Sequence, residues 1–424
     1  MTSIAILGAG ITGITTAYKL IERGFEVTIF EKLQGAALET SFANAGQLSA
    51  SNAEVWNHPS TFLKGIRWMF TRNAPLLVHP SPNPHKLAWL MEFALAARSY
   101  EDNTVRTTRM AIAARHHLLD MAEREGIDFD VKTRGIMHIF EDRAELDHAT
   151  KVNRLLERGG LTRRYVTPGE IHAIEPSVNG DFVGGYYTES DFTGDIHSFT
   201  RGLAEACRRK GATIRYGSEI TDANADGTRA ELTIRDLAAN GAETTERFDA
   251  VVVCAGVKSR KIARYFGDRV NIYPVKGYSI TIALKDEASR AAGPQVSILD
   301  DHAKIVGTRL GERLRIAGTA EFAGEDRTVR QARIDPLLDW CRTRFPGVAI
   351  ADYEPWAGLR PMMPNMLPKV GAGKARTVFY NTGHGHLGWT LGPVTADMIA
   401  ETIAAAFGGD AARARGASPG SRAA

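Results

Sequence analysis

The sequence predicts an α/β fold, α+β overall, in which a parallel nucleotide-binding sheet is joined to a second domain built on a mixed sheet. Three observations carry the prediction. The chain opens with the apolar run Ile4-Ala5-Ile6-Leu7, the turn Gly8-Ala9-Gly10-Ile11-Thr12-Gly13, helical spacing from Ile14 to Ile21 and a second apolar run from Phe25 to Phe30. Residues 249–256 form another run, buried in pattern and ending in small residues, as strands do where an open parallel sheet holds its ligand. A second glycine-rich turn, residues 382–390, lies between the strand-like Val378-Phe379-Tyr380-Asn381 and a helix expected from Val394 to Phe407.

The opening turn gives its glycines separate tasks. Gly8 permits the tight turn, Gly10 lets backbone approach a pyrophosphate, and Gly13 lets the helix pack close to the strand. The helix N-terminus then offers unpaired N–H groups and its positive dipole end to phosphates. Glu31 ends the second strand, where a carboxylate can accept both hydroxyls of an adenosine ribose and disfavours a 2′-phosphate. Glycine-rich turns are common, but strand, helix, second strand and terminal acid here stand in register. FAD and NAD are not separated by this stretch.

At 424 residues with 44% apolar content the chain predicts two domains. A net charge of +3 from 52 basic and 49 acidic residues points to no nucleic-acid partner. Cys207, Cys254 and Cys341 are far apart, which suggests a reducing compartment with neither a disulfide framework nor a metal site. The first strand begins at Ile4, leaving no room for a signal peptide, and no apolar run is long enough to span a bilayer. A cytoplasmic protein is expected, with a peripheral position on the inner membrane face as the alternative, and a disordered tail over 408–424.

Residues 40–47 are small and polar and read as a loop. Trp56 to Val78 mixes aromatic and basic residues; a helix covering a domain is the expectation, and a membrane-interface segment the alternative. Leu87, Leu90, Met91, Ala94 and Leu95 mark one amphipathic helix; Met110, Ala114, His117, Leu118 and Met121 mark another that stops at Gly126. A strand over 136–140, a helix ending at Gly159-Gly160 and the capping box at Thr167-Pro168-Gly169-Glu170 complete an α+β insertion. The nucleotide domain resumes near Asp195, Asn271 to Arg315 alternates as β-structure, and a helix follows through Ile334 and Cys341. The expected division is 1–55, 194–262 and 367–407 for the cofactor domain and 56–193 and 263–366 for the substrate domain.

The motifs Gly8–Gly13, Ser41–Gln47, Tyr273–Ser279, Gly358-Leu359-Arg360-Pro361 and Gly383–Thr390, in this order, resemble those of the D-amino acid dehydrogenases within the D-amino acid oxidase and glycine oxidase group. The resemblance runs from Ile4 to about Phe407. It implies FAD extended across a glutathione-reductase-like Rossmann domain, with the second domain's sheet covering the flavin. By motif, Gly8, Ala9, Gly10, Ile11, Thr12, Gly13, Glu31 and Lys32 are expected at the ADP half. Ser41, Ala43, Asn44, Gly46, Gln47, Ile220, Ala255, Gly256 and Gly358 are expected along the cofactor. Gly383, Gly385, His386, Leu387, Gly388, Trp389 and Thr390 are expected at the isoalloxazine edge.

Arg360 matches the arginine that fixes the substrate carboxylate, a role suited to a planar, permanently charged fork. Tyr278 is a candidate second contact to carboxylate or amine, and His384 a candidate substrate contact. The chain departs from the family pattern at Met362-Met363-Pro364-Asn365-Met366, and His386 stands where a small hydroxyl residue is expected. The resemblance implies oxidative deamination of a D-amino acid, or of a D-hydroxyproline-like imino acid, with electrons passed to a quinone or other non-oxygen acceptor, or to oxygen in an oxidase. A non-catalytic flavin-binding module is the reading from another class.

Overall fold

The computed structural model describes residues 1–58, 76–78, 83–239 and 241–416, the last eight as backbone only. Its first sheet has six strands in the order Lys369–Ala372, Val378–Thr382, Ala250–Val253, Ser3–Leu7, Glu26–Phe30, Thr213–Arg215. All pairs are parallel except the edge pair of Lys369–Ala372 with Val378–Thr382. Ile4, Ala5, Ile6 and Leu7 are at most 1% exposed, as a central strand covered on both faces requires. One face packs on the helices Ile11–Glu22, Ile196–Arg209 and Gly388–Gly416; the other is covered by the antiparallel sheet Ser218–Ala225, Ala230–Asp236, Glu243–Phe248.

The second sheet has nine strands. Tyr353–Met362, Tyr273–Ala283, Arg313–Phe322, Ile305–Leu310, Ser297–Asp300, Ile136–Phe140, Gly184–Thr188 and Arg164–Val166 follow one another across it, and Leu76–Val78 pairs with Arg313–Phe322. The helix Gln331–Arg344 buries Ile334, Leu337, Leu338 and Cys341 against one face. The other face looks towards the nucleotide turn.

The helices of the insertion end where their sequences say. Tyr100–Glu125 stops at Gly126, whose φ of 63° only glycine adopts freely, and Thr167 caps Pro168–Ile174 through a complete capping box. Three expectations are corrected. The last helix begins at Gly388, six residues before Val394, and its backbone runs to Gly416, so 408–416 is helical; 417–424 lie outside the described residues. Pro393 is the sixth residue of that helix and has no N–H to give the Trp389 carbonyl, so the first turns carry one intrahelical hydrogen bond fewer. The stripe Leu87, Met91, Leu95 on Pro84–Ala96 is 56, 67 and 59% exposed, and the residues that helix buries are Lys86 and Trp89. Of the segment Trp56 to Val78, residues 59–75 lie outside the described residues and Leu76–Val78 is a strand.

Candidate active site

The two sheets enclose a cavity of about 1030 Å³ that runs from the Gly8 turn to the far edge of the nine-stranded sheet. At its nucleotide end, Gly8 has a φ of 109°, and a Cβ there would lie 2.8 Å from the Cys254 carbonyl oxygen. A Cβ on Gly13 would meet the Gly8 carbonyl oxygen at 1.9 Å, so strand and helix touch only because both are glycine. Glu31 accepts the backbone N–H of Ala9 at 2.8 Å and of Leu33 at 2.9 Å. Burial pushes its carboxyl up from the ordinary carboxylate value, while these two N–H bonds pull the other way, towards a carboxylate that can accept further hydroxyl hydrogens.

Of the expected cofactor residues, Gly8, Gly10, Ile11, Thr12, Glu31, Lys32, Ser41, Ala43, Asn44, Gln47, Ile220, Ala255, Gly256 and Gly358 line the cavity, as do Gly383 and Gly385–Thr390. Three do not. Ala9 and Gly13 face the protein. Gly46, with φ 72°, packs against Leu310 and the Gly194 carbonyl. Trp389 is also corrected in part: its indole is 2% exposed and packs edge-on against Phe129 and Phe199, in the core. Ser41 Oγ accepts the Ile11 N–H at 3.1 Å and so occupies one donor of the helix N-terminus. The cradle fits an extended dinucleotide: glycines where backbone must approach, a helix N-terminus, and an acid at the second strand's end.

At the other end stands Arg360, on the edge strand Tyr353–Met362. Its guanidinium lies over Gly277, where a Cβ would be 2.3 Å from Nη2, and its Nη1 donates to the Thr319 carbonyl at 3.0 Å. Among the described residues no carboxylate is within ion-pair distance, and burial holds the guanidinium down at about 10. A buried, unpaired guanidinium on a cavity wall can bind a carboxylate bidentately.

Tyr278 lines the cavity with its hydroxyl already bonded. Its hydroxyl donates to Glu321 Oε2 at 2.5 Å inside the protein, beside the buried Lys276, and the residue is 1% exposed. It is a core tyrosine with a satisfied hydroxyl. His384 also lines the cavity: its Nε2 is bonded to Thr395 Oγ1 at 2.8 Å, and burial holds the ring down at about 3, neutral. It ties the glycine turn to the last helix. His386 is the histidine that faces Arg360. Its ring stacks on Trp56 at 4.6 Å, and burial followed by the Arg360 charge holds it at about 3. Neither ring nitrogen reaches hydrogen-bond geometry with a described partner, the Asn52 backbone included.

The departure at Met362-Met363 packs on this turn: Met362 Sδ lies 2.7 Å from where Gly385 would place a Cβ, and the Met363 side chain 2.5 Å from that of Gly383. Larger residues at 383 or 385 would push the turn from the cavity. Sequence reasoning missed the cavity's far wall, where Ser51, Glu54, His138, Glu145, Arg163 and Asp301 converge. Its one local signal was a histidine in the middle of the buried strand Ile136–Phe140.

A dinucleotide cradle and a buried guanidinium lining one cavity fit a cofactor-dependent oxidoreductase. Comparison with known proteins makes the family specific: the model of the DAO family, FAD dependent oxidoreductases, matches residues 3–402, and the chain belongs to that family. It is 56% identical over 405 residues to "D-amino acid dehydrogenase 3" of Mesorhizobium japonicum, covering 95% of this chain and 97% of that one. It is 42% identical to a D-amino acid dehydrogenase of Paramagnetospirillum magneticum, covering 93% and 94%. Among solved structures, glycine oxidase from Geobacillus kaustophilus shares the fold at a TM-score of 0.72 and 22% identity, with 95% of each chain covered. L-proline dehydrogenase from P. horikoshii does so at 0.70 and 17%, with 95% and 93% covered.

Proposed function

We propose that this protein oxidises D-amino acids at Cα, giving an imino acid that water hydrolyses to a 2-oxo acid and ammonia. The observation that carries the proposal is Arg360, a buried guanidinium on the cavity wall with no carboxylate of its own. It holds the substrate carboxylate through two parallel N–H donors, which fixes Cα and the direction of its C–H bond. Bound FAD supplies a two-electron acceptor for the hydride that leaves Cα. The substrate binds with its amine uncharged, the proton left with solvent, and His386, whose ring nitrogens have no partner among the described residues, is placed to accept a hydrogen bond from that amine while the nitrogen lone pair forms the C=N bond as the hydride leaves. Gly8, Gly10 and the N-terminus of Ile11–Glu22 hold the pyrophosphate, Glu31 the ribose, and residues 385–390 the flavin edge.

The relatives' names support a dehydrogenase that passes electrons to an acceptor other than oxygen, and a quinone at a membrane surface is the acceptor we favour. No described helix is long and apolar enough to cross a membrane. What supports surface docking is the exposed row Leu87, Met91, Leu95. Anaerobic mixing with D-alanine tests the chemistry by flavin bleaching. Aerobic turnover that yields peroxide and ignores a soluble quinone would replace dehydrogenase by oxidase.

A further inference from the structure

Arg360 and His386 meet because two stretches of backbone pass each other. Met362, two residues beyond Arg360 on its strand, forms an antiparallel bridge with His384, two residues before His386. Stepping away from an antiparallel bridge in this sense reaches residues on the same side of the pair. Arg360 and His386 are those residues; both line the cavity, and the Arg360 charge acts on the His386 ring.

Among the described residues nothing polar holds that ring. Both nitrogens lack a hydrogen-bond partner there, and the outer torsion of a histidine side chain is broad. The backbone gives little help, because His386 lies in the single turn Gly385–Leu387 with Gly388 after it, and Gly385 has a φ of 59°. The plane of the ring is set by Trp56. Their centroids are 4.6 Å apart and their planes 24° from parallel, an offset stack.

Trp56 is held in turn by the helix Tyr100–Glu125. One face of that helix carries Tyr100, Thr104, Thr107 and Arg115, and each secures, directly or through Asp191, a residue shortly before Trp56. The Tyr100 hydroxyl donates to Glu54 at 2.5 Å, Thr104 accepts the Val55 N–H at 3.4 Å and the Thr107 hydroxyl donates to the Ala53 carbonyl at 2.6 Å. Arg115 is ion-paired with Asp191, which accepts the N–H groups of Ala50 and Ser51 at 2.9 and 3.1 Å. Trp56 itself packs on the core of Val55, Tyr273, Val275 and Met362. A chain of contacts therefore runs from the insertion helix through Trp56 to the ring beside Arg360.

We infer that Trp56 is a positioning residue for the oxidation: by stacking on His386 it keeps a ring nitrogen turned towards the amine of a substrate whose carboxylate Arg360 holds. The inference rests on the amino acid oxidation proposed above and adds the residue that orients its amine contact.

The test follows anaerobic flavin reduction by D-alanine in the holoenzyme, reading the limiting rate and the apparent Kd of D-alanine. It compares wild type, Trp56→Leu, Trp56→Phe, His386→Ala and the double variant Trp56→Leu/His386→Ala, with thermal melts to check that each is folded. Trp56→Leu should lower the limiting rate by about tenfold or more, since a small misplacement of a contact group is costly. Kd should move by less than about threefold, because Arg360 is intact. Trp56→Phe keeps the stack and should recover to within about threefold of wild type. Once His386 is alanine, Trp56→Leu should change the rate by less than about twofold, since the pair acts as one unit. Losses that multiply in the double variant, a phenylalanine variant as slow as the leucine one, or wild-type rates in Trp56→Leu or in His386→Ala overturn the inference while the oxidation stands. A wild-type flavin that no D-amino acid reduces removes the oxidation reading, and this inference with it.

Discussion

Replacing Arg360 by alanine should remove most turnover while leaving a yellow, folded protein. The guanidinium has one internal partner, the Thr319 carbonyl at 3.0 Å, and no internal carboxylate among the described residues. The two donors that would meet a substrate carboxylate are each worth about 1.5–3 kcal/mol when the partner is charged. A bidentate pair therefore contributes about 3–6 kcal/mol, or about 10²- to 10⁴-fold in kcat/KM. Arg360→Lys retains a point charge without the fork and should recover part of that loss. The folded state should lose little, since a buried guanidinium without a counter-charge adds little stability. Anaerobic stopped-flow reduction by D-alanine, with a thermal melt of each variant, reads both quantities. Reduction by the alanine variant within about threefold of wild type would refute the assignment of the carboxylate site.

Three further outcomes follow from the same geometry. Gly13→Ala places a methyl 1.9 Å from the Gly8 carbonyl oxygen, and the purified variant should carry little FAD; a full flavin-to-protein absorbance ratio would contradict the cradle. Tyr278→Phe removes one hydrogen bond from Glu321, which keeps Arg330 at 3.1 Å and Lys276 at 3.5 Å, and should lower stability by about 1 kcal/mol with kcat/KM little changed; the reverse pattern in melts and kinetics would give the Tyr278 hydroxyl a part in catalysis. His384 and His138 are 3% and 5% exposed and held at about 3 and about 4, below their ordinary 6.5. Their folded values are depressed, so the stability they contribute is complete above 6.5 and is lost as pH falls towards the folded values, where the unfolded chain takes protons the fold refuses. From pH 6.5 to about 4.5 the two should cost about 4 kcal/mol, and urea melts of His384→Asn should show about 2 kcal/mol less of that loss.

The nucleotide half was legible because its signals are local. Ile4 to Glu31 carries strand, turn, helix and acid within one stretch, and each glycine there meets the contact its position implied. Arg360 was legible through the motif around it. What could not be read was direction. The period of Leu87, Met91 and Leu95 marks a helix face correctly but not which way it turns, and here Trp89 on the other side enters the core. Tyr278 and His384 lie in the right motifs, yet their polar atoms are taken by Glu321 and Thr395, which come from elsewhere in the chain. The far wall draws on residues between 51 and 304 that meet only when the insertion folds against the sheet. No spacing in the sequence announces that Arg163 and Glu145 line one cavity.

The central claim is that FAD and a D-amino acid meet in this cavity. An anaerobic visible spectrum of the purified protein, before and after D-alanine and separately L-alanine, tests it most directly. The account predicts a yellow protein whose flavin bands disappear with the D enantiomer and persist with the L. A colourless protein, or bands that neither D-alanine nor any other D-amino acid removes, would contradict it.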